Sequence, residues 1–340
     1  MTELEIVRCL PDDYLAQSLR ADALAGLSSS PKQLPPKWFY DERGSELFEQ
    51  ITRRPEYYPT RAERAILGER AAEIAAVTRA RTLVELGSGS ADKTTLLLDA
   101  LRGQGTLRRY VPVDVSEAAL RAAGHRVLSA YPDLAVQAVM SDFEEHLGLS
   151  AAPSAGSGAR MVAFLGGTIG NLLPAQRARF LESLRAQLGS GDTLLLGTDL
   201  VKDAATLIAA YDDAAGVTAA FNKNVLTVLN AELDAEFDLD AFEHVAVWDS
   251  REEWIEMRLR SRSDQTVKLA ALGLAVAFDA GEEMRTEVSA KFRREGVQAE
   301  LAAAGFEMRA WWTDAAHRFA LSLSAPATRG AFAASFPPRR

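Results

Sequence analysis

A single cysteine, Cys9, stands among 340 residues, and only four histidines accompany it. One thiol can close no intrachain disulfide and cannot build a thiolate cage for a metal. The expectation is a metal-independent protein of a reducing compartment. Positive charge is scarce as well. Against 47 Asp and Glu there are 38 Lys and Arg, a formal net charge of −9. An acidic surface repels phosphate backbones and no basic run offsets it, so no nucleic-acid partner is expected. Long apolar runs are also lacking. The longest, Leu269 to Phe278, is far short of the ~20 residues that span a bilayer. Asp12 and Asp13 fall where a secretory signal would need an apolar stretch. A cytoplasmic protein without membrane contact is what these absences leave. With no heptad pattern and no obvious exposed apolar stripe, a monomer is the default.

What is present is ordinary in bulk and specific in detail. Apolar residues make up 48% and charged residues 25%, values typical of folded soluble chains. The length suggests two domains, or one with a large insertion. The first thirty residues read as one helix and a loop, after which Pro31, Pro35 and Pro36 impose extended backbone. Thr60 and Glu63 have capping-box spacing ahead of an alanine-rich helix. From Thr82 to Asp213, short apolar strands alternate with amphipathic helices, which predicts a mainly parallel sheet covered on both faces. The run 150–158, rich in Ser, Gly and Ala, reads as a flexible surface loop. From about His244 the period becomes two, and Ile255, Met257 and Leu259 share one face of a strand. Further strands are expected over 265–272, 274–278 and 286–292, as an antiparallel insertion. A helix over 295–304 and a hairpin of 306–312 with 319–324 would close the fold. Residues 325–340 read as a disordered tail.

Val84-Glu85-Leu86-Gly87-Ser88-Gly89 lies where the first βα unit turns from strand to helix. Glycines there let backbone N–H groups approach a ligand at the carboxyl end of a strand. Asp92 occupies the place of the third glycine of a dinucleotide fingerprint, which disfavours a pyrophosphate. An acidic residue before Gly-x-Gly is the pattern of class I methyltransferases that use S-adenosylmethionine (SAM), a cationic sulfonium. Two more carboxylates fall in register. Asp114 ends the second strand, where it can accept from ribose hydroxyls. Asp142 and Phe143 follow the third, where they can meet an adenine amine and ring. Lys93 is the one cation at this place, suited to the SAM carboxylate. Taken alone, each feature also reads as a tight turn, a helix cap or a solvated lysine. After the fourth strand comes Gly166-Gly-Thr-Ile-Gly-Asn171, where Asn171 offers both a donor and an acceptor.

Several stretches together carry a family resemblance. They are Pro35-Pro-Lys-Trp-Phe-Tyr-Asp41, Pro55-Glu-Tyr-Tyr-Pro-Thr-Arg61, Leu83-Val-Glu-Leu-Gly-Ser-Gly89 and Phe164-Leu-Gly-Gly-Thr-Ile-Gly-Asn171. Gly197 to Asp203, Tyr211 to Asn222 and Glu287-Val-Ser-Ala-Lys-Phe292 belong with them. From about residue 10 to 324 the chain resembles the histidine Nα-methyltransferases of ergothioneine biosynthesis. Gly167 departs from the serine expected in close relatives. The resemblance implies an α/β fold: a Rossmann-like class I methyltransferase domain with a mainly parallel sheet, plus a second α+β substrate-binding domain. The SAM domain would take 61–200 and 288–324, and the substrate domain 8–60 and 201–287. It implies transfer of three methyl groups from SAM to the α-amine of L-histidine, giving hercynine. Histidine and its mono- and dimethylated intermediates would be the partners. Residues matching Asn171 and Tyr211 would hold the amino-acid head group. Those matching Tyr57, Glu287 and Ser289 would surround the imidazole. Tyr40, Phe48, Gly166, Thr168 and Met257 would complete the pocket, with Tyr40 counted among the catalytic groups together with Asn171 and Tyr211. SAM itself would be held by Glu85, Gly87, Gly89, Lys93, Asp114, Asp142 and Phe143.

One pattern agrees with this independently. Glu287 and Ser289 stand two apart on an expected strand, so their side chains leave one face. Tyrosine faces also suit a quaternary cation, which makes Tyr40 and Tyr57 fitting walls for a trimethylated amine. None of His125, His146, His244 or His317 falls in a role-bearing position. Three other readings compete: an Nα-methyltransferase for another aromatic amino acid, a non-catalytic SAM-binding or amino-acid-binding module, and a nucleic-acid methyltransferase. Glu287 and Ser289 count against the first, and the charge of −9 against the last.

Overall fold

The computed structural model describes residues 4–89, 93–142, 147 and 158–327. It begins with strand β1 (Glu5–Arg8), helix α1 (Tyr14–Leu27), a 3-10 turn (Pro36–Phe39) and helices α2 (Glu42–Thr52) and α3 (Pro59–Thr78). The βα units follow: β2 (Thr82–Leu86), α4 (Thr94–Gly103), β3 (Arg109–Asp114), α5 (Glu117–Ala130), β4 (Ala135–Met140) and β5 (Arg160–Phe164). A 3-10 turn (Thr168–Asn171) leads to α6 (Pro174–Gln187) and β6 (Thr193–Asp199). Next come α7 (Ala204–Tyr211), α8 (Val217–Leu233) and five strands: β7 (Phe242–Asp249), β8 (Trp254–Ser261), β9 (Gln265–Leu269), β10 (Leu274–Phe278) and β11 (Glu283–Ala290). Helix α9 (Arg294–Ala303) and the hairpin β12 (Phe306–Thr313) and β13 (Phe319–Pro326) close the chain.

Eight strands form one sheet in the order β1-β4-β3-β2-β5-β6-β13-β12. Strands β1 to β6 pair in parallel, and β13 runs antiparallel to β6. The alternation of side chains along each strand builds two apolar layers. Leu83, Tyr110, Met161 and Leu195 face the layer of α3 and α4. Val84, Val111, Val162 and Leu194 face the layer of α6 and α9. Every residue of β2 and β5 is buried, Glu85 and Arg160 included, as expected of central strands covered on both faces. A third apolar cluster draws on residues 19–58 and 207–284 and contains α1, α2, α8 and the inner faces of β8, β9 and β10. A three-stranded antiparallel sheet, β11-β8-β7, and the pair β10-β9 lie in this part.

The first thirty residues depart from the expected single helix. Ile6 and Val7 extend the parallel sheet beside β4 before α1 begins. Helix α8 was not anticipated, nor was the end of β9 at Leu269, where a 3-10 turn over Ala270–Leu272 replaces the expected strand. The capping box is also corrected. Helix α3 starts at Pro59, so Thr60 already lies inside it, and Glu63 is fully buried with partners far away in sequence. Strand β13 runs to Pro326, two residues into the expected tail. Residues 328–340 of that tail, the loop 150–157 and Phe143 lie outside the described residues.

Candidate active site

Strands β2, β3 and β4 end on the same edge of the sheet, and their last residues build the first half of the site. After β2, Gly87 and Gly89 take φ of 67° and 47°, conformations natural to glycine. A Cβ placed on Gly89 would meet no atom of the described residues within 4 Å, so Gly89 faces open space among them. Between the two glycines, the Ser88 hydroxyl is buried without a partner among the described residues. The Asp114 carboxylate accepts from the Ser116 N–H at 3.0 Å and also from the backbone N–H of Gly89. Burial pushes its pKa up. Asp142 is buried and accepts from the Tyr14 hydroxyl at 2.9 Å, with Lys37 Nζ at 3.8 Å. Tyr14 begins α1, so the N-terminal segment reaches this edge, which the sequence reading did not anticipate. An open glycine cradle, an orphaned hydroxyl and converging carboxylates fit a cationic nucleoside such as SAM.

Glu85 and Lys93 sit differently from the others. Glu85 lies beneath the turn, where Thr94 Oγ1 and the Tyr110 hydroxyl each donate to it at 2.5 Å. Burial raises its pKa to about 7. Lys93 pairs with Glu63, whose carboxylate also accepts from the Gly166 N–H at 2.8 and 3.0 Å. Glu63 therefore ties the turn after β5 to the start of α4, a role that its place in an alanine-rich helix concealed.

The second half of the site arises where the turn after β5 meets β11. Gly166 and Gly167 take φ of 81° and 73°, and Thr168 Oγ1 donates to the Leu165 carbonyl at 3.1 Å. Gly167, where relatives are expected to carry serine, lies against Phe319, with 3.4 Å from a built Cβ to the ring. A Cβ on Gly170 would fall 2.8 Å from the Ala290 carbonyl. Glycine is what allows the turn to press on β11. As a result Asn171 Nδ2 donates to Glu287 Oε1 at 2.7 Å and to the Val288 carbonyl at 2.8 Å. A register shift between Arg285 and Glu287 sets Glu287 opposite Met257 of β8. Burial pushes Glu287 up to about 7, against the lowering effects of Asn171 and of Lys291.

Tyr40, Phe48, Tyr57, Tyr211, Met257 and Glu287 line one narrow pocket, together with Phe221, a residue not singled out from sequence. The aromatic rings pack edge to face, with Tyr40 5.6 Å from Phe48 and Tyr57 6.3 Å from Tyr211. Tyr40 stays 46% exposed, so the pocket opens past it. The Tyr211 hydroxyl lies 2.7 Å from Ser289 Oγ, and Lys291 Nζ donates to both. Burial and the neighbouring Glu287 raise the Tyr211 pKa well above its usual value, so it remains a phenol.

Two supporting groups escaped the sequence reading. Lys291 is one. The other is His244, buried against the carbonyl of Tyr211 at 2.8 Å through Nε2. The Thr286 hydroxyl donates to Asn222 Oδ1 at 2.6 Å, which orients the Asn222 amide to donate to His244 Nδ1 at 2.8 Å. Nδ1 is then the acceptor and Nε2 carries the proton. Burial holds the His244 pKa below its usual value, consistent with this neutral ring.

The chain's relatives agree with a site of this kind. Residues 19–326 match the family described as histidine-specific methyltransferase, SAM-dependent. The chain is 60% identical to the histidine N-alpha-methyltransferase of Mycolicibacterium smegmatis, over 94% of its own length and 99% of that protein. It is 57% identical to the Mycobacterium tuberculosis protein of the same name, over 95% and 99%. Similarity at 32% identity extends to ergothioneine biosynthesis protein 1 of Schizosaccharomyces pombe, over 73% of this chain and 32% of that protein. With a glycine cradle at the sheet edge, an acidic pocket beside it and matches spanning nearly the whole chain, the protein belongs to the family of SAM-dependent, histidine-specific methyltransferases.

Proposed function

We propose that the protein transfers three methyl groups, one at a time, from SAM to the α-amino group of L-histidine, producing hercynine for ergothioneine biosynthesis. The observation that carries the substrate is Glu287. Its carboxylate is, among the described residues, the one acidic group in a pocket lined mostly by aromatic and aliphatic side chains, and Asn171 occupies one oxygen. The other oxygen is an acceptor for an imidazole N–H, and an apolar ring would leave it unpaired. Ser289 and Tyr211 supply hydroxyls to the same amino acid, and Asn171 reaches its head group. Phe48 and Met257 pack the ring, and Gly166 and Thr168 border the amine.

When bound, SAM would supply an electrophilic methyl carbon to the amine lone pair and would leave as S-adenosylhomocysteine. Gly87, Gly89, Asp114, Asp142 and Phe143 would hold the nucleoside, Glu85 would brace the turn, and Lys93 would meet the carboxylate. The α-amine of a chain terminus has a pKa of about 7.7–8.0, and that of a free amino acid lies higher because of its charged carboxylate, so each transfer draws on a small neutral fraction whose proton has gone to solvent. The protein's task is chiefly to hold amine and methyl in line. Tyr40 and Tyr57 would face the amine; the ammonium formed in each of the first two transfers gives its proton to solvent, and the rings suit the quaternary cation left by the third. The mono- and dimethylated amino acids are then substrates in turn. The SAM domain takes 61–200 and 288–324 and the substrate domain 8–60 and 201–287. The separate apolar cluster of residues 19–58 and 207–284 supports that division. A cytoplasmic monomer completes the reading, and no helix among the described residues is long and apolar enough to cross a membrane.

Incubation with SAM and each proteinogenic amino acid, read by mass spectrometry, tests the proposal. Three methyl groups on histidine alone is the expected result. Methylation of another amino acid in preference, or of none, would overturn it.

A further inference from the structure

We propose that Lys291 is a positioning residue that turns the Tyr211–Ser289 hydroxyl pair into a hydrogen-bond donor toward the substrate ring. This rests on the reading that both hydroxyls face the bound amino acid. The Lys291 side chain is fully buried. Its ammonium has three hydrogens and three acceptors: Asp199 Oδ2 at 3.0 Å, Tyr211 Oη at 2.9 Å and Ser289 Oγ at 2.8 Å. All three donors are therefore spent inside the protein, and none is left for a ligand.

Counting hydrogens gives the consequence. Each hydroxyl accepts one bond from Lys291, and the two oxygens lie 2.7 Å apart, so one of them donates to the other. One hydroxyl hydrogen remains, and no further acceptor among the described residues bonds to either oxygen. Tyr211 lines the pocket, so that hydrogen is left for a ligand there. On the other side of the pocket, Glu287 Oε2 is an acceptor, because Asn171 bonds to Oε1. One donor and one acceptor match a neutral imidazole, which has one bare nitrogen and one N–H. Without the ammonium, the two hydroxyls would be free to accept as well as donate, and the pocket would lose that polarity.

The anchor of Lys291 is built to survive its loss. Asp199 also accepts from the Tyr58 hydroxyl at 2.9 and 2.8 Å and pairs with Lys202 at 2.7 Å. Replacing Lys291 by methionine thus leaves Asp199 with a cation and a hydroxyl donor.

The test is a cycle among Lys291→Met, the pair Tyr211→Phe with Ser289→Ala, and their combination. Each is read as KM and kcat for histidine at saturating SAM, as Kd for S-adenosylhomocysteine by calorimetry, and as melting temperature. Lys291→Met is expected to raise KM for histidine about tenfold or more while changing the nucleoside Kd less than about twofold. In the background lacking both hydroxyls, the same substitution should add less than about twofold, because its targets are gone. An equal rise in both backgrounds would mean a merely structural role and would overturn the inference. A KM within twofold of wild type for Lys291→Met would do the same. If Tyr211→Phe with Ser289→Ala leaves histidine KM unchanged, the underlying pocket assignment fails and this inference falls with it. Lys291→Gln keeps an amide donor without charge and serves if the methionine variant does not fold. A partial rise in KM is then expected, and none would count against the role.

Discussion

Asn171 donates to Glu287 across 2.7 Å, one of the two bonds by which it joins the turn after β5 to strand β11. From sequence the two residues were expected at opposite ends of the substrate, Asn171 at the head group and Glu287 at the ring. In the structure they satisfy one another directly. Asn171 donates with its amide, so an acceptor is required on the other side. Asn171→Asp replaces the donor with a second carboxylate facing a buried one. Like charges at this distance disfavour ionisation of both. Histidine KM should rise at least about tenfold, with the Kd for S-adenosylhomocysteine changed less than about threefold. Steady-state kinetics together with calorimetry checks this. An unchanged KM would show that the pairing has no bearing on the amino acid.

The parallel sheet was legible because its strands are short, apolar and separated by amphipathic helices. Glu287 and Ser289 were legible as a pair because spacing of two on a strand has one geometric meaning. Glu63, His244 and Lys291 were not legible. No local pattern marks the role of any of the three, and what distinguishes each is a partner 103, 33 or 80 positions away. Glu63 was misread for a definite reason. Thr60 and Glu63 have the spacing of a capping box, but Pro59 already opens the helix and the glutamate points into the protein. Local pattern cannot separate a helix cap from a tertiary tie when both use a carboxylate against backbone N–H groups.

Gly197 offers a test of that tie. A Cβ at this position would run into Glu63 Oε1 and lie 3.3 Å from the Phe319 ring. Glu63 cannot yield easily, because it holds Gly166 and Lys93. Gly197→Ala should destabilise the protein by about 1–3 kcal/mol, the usual cost of overpacking a core. Chemical denaturation measures it. A loss below about 0.5 kcal/mol would mean that Glu63 moves aside freely.

Glu85 makes a prediction about stability and pH. Burial raises its folded pKa to about 7 from an ordinary 4.5. Between these values the folded protein binds a proton that the unfolded chain has released. Stability from this group is therefore present at low pH and is lost as pH rises through about 7. Glu85→Gln removes the titration and keeps an acceptor for one of the two hydroxyls of Thr94 and Tyr110, while its amide nitrogen donates to the other. Its melting temperature should fall less between pH 5 and pH 8 than that of wild type. Parallel melting curves for the two proteins would count against the assignment.

Glu287 makes the corresponding prediction for catalysis, with the opposite dependence on pH. Its pKa, pushed up to about 7, leaves much of the carboxyl neutral at pH 6 and ionised at pH 8. The ionised form is the stronger acceptor for an imidazole N–H. On this basis kcat/KM for histidine should climb as pH rises through about 7. The substrate's own imidazole titrates nearby, with an ordinary pKa of about 6.5, and its amine above the ~7.7–8.0 of a chain terminus, so the wild-type profile contains all three. Glu287→Gln separates them. The glutamine cannot ionise, and what remains of the pH dependence belongs to the substrate. The ratio of wild-type to variant kcat/KM should therefore rise from pH 6 to pH 8 and level off above the Glu287 pKa. A ratio that stays flat across that range would show that the Glu287 charge does not act on the bound ring. A ratio that falls would reverse the assignment, because the neutral carboxyl would then be the better partner.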